Sequence, residues 1–109
     1  MTYKEIDDLV AGIGFPYAYY QFPEGEAQPT PFICFYYEGS DDLMADNINY
    51  QAIRPLSIEL YTDNKDFVSE ALVESSLIAA GLPFTRTETY IGSQRMYLTT
   101  YDTEVVING

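Results

Sequence analysis

Histidine is absent from the 109 residues, and with it go the commonest general base, the Ser-His and Cys-His nucleophile pairs and the commonest metal ligand. Cysteine occurs once, as Cys34, too few for a disulfide within the chain or for a cysteine-based zinc cluster, and this points to a reducing compartment. Cys34 sits in an aromatic run with no basic residue nearby in sequence to lower its pKa, so it reads as a small buried hydrophobe and not as a nucleophile. Basic residues number five, Lys4, Arg54, Lys65, Arg86 and Arg95, against 17 acidic ones, for a net charge of −12. Such a surface repels phosphates, which argues against specific binding to nucleic acid and against anionic membranes. No stretch approaches the eighteen or so apolar residues of a membrane helix. The opening residues Met1 to Glu5 lack a basic segment leading into an apolar run, so cytosol-like conditions are expected.

Phosphate loops are missing too. Gly12-Ile13-Gly14 follows a helical pattern and leads into Phe15-Pro16, whereas a dinucleotide fingerprint follows a strand and opens a helix; the glycines read as a helix stop. Asp41, Asp42 and Asp46 do not have the spacing of a calcium loop and read as a solvated acidic loop. Asp63, Asn64 and Asp66 are accounted for by helix capping. With 17 acids, some pair of carboxylates always looks like a glycosidase pair, so that pattern carries no signal. No catalytic, cofactor-binding or metal-binding residue is assigned, and catalysis is not expected.

What the chain has is apolar and aromatic material: 47% hydrophobic residues and 16% aromatics, far more than a disordered chain carries. The length is that of one domain, residues 1–109. Thr2 and Glu5 have the spacing of a capping box and open a helix to about Ala11, stopped by Gly12 or Gly14, with Ile6, Leu9, Val10 and Ile13 on one arc. Tyr17 to Phe22 and Phe32 to Glu38 read as strands, naturally an antiparallel pair, around a Pro/Gly/acidic connection. In the second run both alternating sets are apolar or aromatic, which leaves little room for a solvated face. Gly39 to Asn49 reads as a polar loop with at most a turn of helix at Leu43 and Met44. A third strand places Leu56, Ile58 and Leu60 inward and Ser57, Glu59 and Tyr61 outward, and Pro55 suggests that its start is an edge or a bulge.

Asp63 or Asp66 opens a second helix that ends near Ala80, with Gly81 as the residue after the cap. On its wheel Phe67, Val68, Ala71, Leu72, Ser75, Ile78, Ala79 and Leu82 fill one arc, read as the core face. Val73, Leu77 and Ala80 lie opposite, an apolar stripe expected to face water. Phe84 to Ile91 and Arg95 to Val106 close the chain as a hairpin around Gly92-Ser93-Gln94. The order α-β-β-β-α-β-β predicts an α+β fold, a mainly antiparallel sheet with both helices packed on one face. Eleven tyrosines, most of them on strands, exceed what the inner face of one small sheet buries, and tyrosine is enriched at protein interfaces. The candidate contact residues are Tyr20, Tyr37, Asp41, Asp42, Leu43, Met44, Val73 and Leu77.

Pro16-Tyr17-Ala18-Tyr19-Tyr20-Gln21-Phe22, the run Pro31 to Tyr37, Ile58 to Asp66, and Thr87 to Ile91 with Met96-Tyr97 together cover most of the chain. In these segments the sequence resembles the tail-completion, or tail-terminator, proteins of long-tailed phages and prophages of Gram-positive bacteria. The resemblance implies a structural virion protein without active-site residues or cofactors. It implies a homo-oligomeric ring, a hexamer, that caps the head-proximal end of the tail tube. Its partners would be further copies of itself, the tail tube protein and the head-completion or connector protein, with assembly in the bacterial cytoplasm and a final place in the virion tail. A second reading rests on charge alone: an acidic mimic of DNA that inhibits a host nuclease or other DNA-binding protein.

Overall fold

Every chain-local signal at the first helix is realised. The computed structural model describes residues 1–26, 28–39, 43–45 and 48–108. Helix α1 spans Tyr3–Ile13; the Thr2 side chain accepts from the Glu5 N–H while the Glu5 carboxylate accepts from the Thr2 N–H, a complete capping box. Gly14, at φ 102°, ends the helix in the left-handed conformation that glycine adopts at little cost. Ile6, Val10 and Ile13 are buried and Leu9 is half-buried, as their common arc predicts.

The strands are β1 (Tyr17–Tyr19), β2 (Phe32–Tyr37), β3 (Leu43–Ala45) and β4 (Ile48–Thr62), followed after the second helix by β5 (Thr85–Ile91) and β6 (Met96–Ile107). The main sheet runs β1-β2-β4-β6-β5, and β3 pairs with the start of β4. This is the predicted α+β fold and element order, with the short β3 added. Helix α2 (Phe67–Ala79) and α1 lie on the same face of the sheet, where Ile33, Phe35, Leu56, Ile58, Leu60, Tyr101 and Val105 meet Ile6, Val10, Val73 and Leu77.

Three expectations are corrected. First, β1 and β2 are parallel, with Tyr17 beside Ile33 and Tyr19 beside Phe35. Twelve residues separate the end of β1 from the start of β2, the length a parallel connection needs, whereas a tight turn would have imposed an antiparallel pair. Second, Leu43 and Met44 belong to a strand, not to a loop or a helical turn: β4 extends back to Ile48, beyond its pairing with β2, and there it pairs with β3. Third, Pro55 is not where a strand begins. It sits inside β4 opposite Glu104 of β6, and on its other side its carbonyl accepts from the Glu38 N–H at 3.0 Å. Having no N–H to return, Pro55 marks the point at which the β2 ladder ends while the β6 ladder continues.

Candidate interaction surface

Helix α2 starts at Asp66, whose carboxylate accepts from the Ser69 N–H at 2.9 Å and from the Ser69 hydroxyl at 2.6 Å. These bonds to the charged form hold the Asp66 carboxyl below its ordinary range. The helix ends in a pair of bonds, Leu82 N–H to Leu77 carbonyl and Gly81 N–H to Ile78 carbonyl, with Gly81 at φ 71°. Both ends are where the sequence puts them. The rotation of the helix between them is not.

Val73 and Leu77 are completely buried in the core, so they have no surface to offer a neighbour. The residues read as the core face lie outside instead: Phe67 is 71% exposed, Val68 74%, Leu72 45% and Ile78 69%, and Ala71, Ser75 and Ala79 between them are exposed as well. Only Leu82, beyond the helix end, is buried as expected. The cause is electrostatic. Glu70 and Glu74 would ordinarily mark the wet side, but here they turn toward the sheet, where cations and a hydroxyl receive them. Lys65 Nζ lies 2.6 Å from Glu70, Arg86 also pairs with Glu70, and the Tyr101 hydroxyl donates to Glu74 at 2.8 Å. Lys65 and Arg86 reach Glu88 as well, and the bond from Lys65 holds the Glu88 carboxyl below its usual range. A buried carboxylate is tolerated only with such partners, and they hold α2 in this rotation.

The result is an apolar ridge along α2, on the order of 400 Å² of exposed hydrophobic side chain, the size at which a surface patch signals a contact, with Lys65 Nζ 4.7 Å over the Phe67 ring at its start. The opposite face of the sheet carries a second feature. Residues 20–26 fold against that face, so that Phe22 packs edge-on to Phe32, and Phe32 stacks on Tyr61 with ring centres 4.8 Å apart. Between this segment and the start of β6 lies an open groove of about 450 Å³, lined by Tyr20, Phe22, Phe32, Tyr61 and Met96; among the described residues no lining side chain is charged, and the Glu59 carboxylate accepts from the Tyr61 hydroxyl at 3.2 Å. Its floor includes Cys34, whose thiol is pushed up to about 11 by burial and then by the Glu59 carboxylate. A thiol held that high stays protonated and is a poor nucleophile.

The other sequence candidates are scattered. Tyr20 is 64% exposed at the groove, with φ 68°. A left-handed backbone costs a non-glycine residue roughly 1–3 kcal/mol, which the surrounding packing must offset. Tyr37 points to the helix side, not outward; it is half-buried, packs edge-on against Tyr3 at 5.2 Å, and burial pushes its hydroxyl up to about 12. Asp41 and Asp42 lie outside the described residues, and Leu43 and Met44 are placed only as backbone of β3. The structure therefore does not bring the predicted set together. Sequence reasoning missed the α2 ridge and the groove. The available signal for the ridge was the pair of glutamates four residues apart within reach of basic residues elsewhere in the chain.

No group of three or more metal-binding side chains is found among the described residues, and no described helix is long and apolar enough to cross a membrane.

The fold has a counterpart among solved structures. Over 93% of this chain and 84% of the other, the structure is similar to a chain in the virion of a native gene transfer agent, with a TM-score of 0.62 and 17% sequence identity. At that identity the similarity shows a shared fold. No protein-family model matches the sequence, and no curated protein matches it.

Proposed function

We propose that this chain is a structural subunit of a phage-type virion, and that it acts at tail completion: copies of it form a ring that caps the head-proximal end of the tail tube and presents a surface to the head connector. The observation that carries the reading is the near full-length likeness to a chain of a gene transfer agent virion. The sequence resemblance to tail-terminator proteins supports the finer role, and the apolar ridge on α2 supplies a surface through which copies can associate. An acidic ring would let DNA pass without sticking, because like charges repel.

The test is electron microscopy of particles made by a phage or prophage from which this gene is deleted. Overlong tails and full heads without tails are the expected result. Normal particles, with the protein instead recovered from host lysate on a nuclease, would replace this reading with the DNA-mimic one.

A further inference from the structure

The ridge and the groove are on opposite faces of the sheet. Helix α2 packs on the face that carries Ile58 and Tyr101, whereas Phe32, Cys34 and Tyr61, which line the groove, alternate with the core residues and face the other way. We infer that the two are the complementary halves of one contact between copies: the α2 ridge of one subunit docks in the groove of the next.

Charge selects the occupant. Each copy carries a net charge of −12, so two copies repel over most of their surfaces and can approach closely only where charge is missing. Lys4, Lys65 and Arg86 are taken up in ion pairs within the chain and offer little to offset the repulsion. The arc from Phe67 to Ala79 and the groove lined by Tyr20, Phe22, Phe32, Tyr61 and Met96 are two such areas: neither has a charged side chain of its own among the described residues, while Lys65, already paired with Glu70 and Glu88, lies over the Phe67 ring and Glu59 accepts from the Tyr61 hydroxyl.

Area points the same way. A stable interface needs roughly 800 Å² from each partner. The large side chains of the ridge supply about half of that, so a ridge seated in a groove, with rim contacts around it, reaches the required size. A ridge laid on another ridge leaves the aromatic groove open on both copies. Because the two surfaces belong to opposite faces, their contact is head-to-tail, the kind that closes into a ring or runs on as a filament. The inference thus rests on the ring reading above and specifies its joint.

Two variants test it with the full chain. Val68→Glu/Ile78→Glu places carboxylates on the ridge, and Gln21→Glu/Met96→Glu places one on each wall of the groove; the ridge positions are exposed, and thermal melting checks that both variants fold. In sedimentation velocity each variant alone should self-associate at least about tenfold more weakly than the parent. Mixed in equal amounts, they should form a one-to-one dimer that grows no further, since only one intact ridge and one intact groove remain. If the groove variant dimerises by itself while the ridge variant stays monomeric in the mixture, the contact is ridge to ridge and the inference fails. A parent chain that stays monomeric throughout overturns it too. Neither failure touches the tail role, which the deletion phenotype reads separately.

Discussion

The hydroxyl of Tyr101, fully buried in the sheet beneath α2, donates to the Glu74 carboxylate of that helix at 2.8 Å. Burial first, and this carboxylate next, raise the Tyr101 hydroxyl well above its ordinary pKa, which favours its protonated, donating form. With the Glu70, Arg86 and Lys65 pairs, this bond fixes which arc of α2 faces the core.

Tyr101→Phe keeps the ring and its edge-on contact with Phe84 but removes that donor. Glu74 is partly exposed and regains water, so the expected cost is about 1–2 kcal/mol, read from urea unfolding midpoints.

Glu70→Ala removes the shared partner of Lys65 and Arg86. Both cations are partly exposed and rehydrate, which keeps the expected loss to roughly 2–3 kcal/mol, below that of breaking a fully buried pair. Glu70→Gln should lose less than the alanine variant because it still accepts a hydrogen bond.

Leu77→Ala and Ile78→Ala form a matched pair, neighbours on one helix. The first opens a cavity in the core and should cost about 2–5 kcal/mol; the second, at an exposed site, should change stability by less than about 0.5 kcal/mol and weaken self-association instead. Equal destabilisation by the two would contradict the rotation of α2 described above.

Two carboxylates should respond to pH with opposite signs. The folded-state pKa of Asp66 is depressed, first by the hydroxyl and then by the N–H of Ser69, so its contribution is present above the unfolded pKa of about 4 and is lost as pH falls through the folded value. Asp66→Ala should therefore cost about 1 kcal/mol at pH 7, and less in acid. Glu59 is raised by burial on the groove side of the sheet, so its ionisation works against folding and stability declines as pH rises through the folded value. Glu59→Gln should be stabilising at pH 7 and lose that advantage below about pH 4. Denaturation midpoints measured at both pH values check the two signs.

Much of the fold was legible because it is written in short-range chemistry. The capping box at Thr2 and Glu5, the cap at Asp66 and the left-handed Gly81 each involve residues within about five positions of one another. The inward set Leu56, Ile58 and Leu60 follows from strand alternation alone. The candidate surface was less legible. Helix α2 is apolar on two arcs, so its periodicity names two possible core faces and does not choose between them.

By itself, then, the sequence determined the element order, the helix ends and the excess of apolar and aromatic surface, because each depends on neighbours along the chain. Tertiary structure alone decided that Val73 and Leu77 go inside while Phe67, Val68, Leu72 and Ile78 stay outside, and that β1 runs parallel to β2. The first choice depends on partners distant in sequence, Arg86 for Glu70 and Tyr101 for Glu74, whose charge and hydrogen bonds favour one rotation of the helix, and the second on a connection long enough to bring the chain back beside β1.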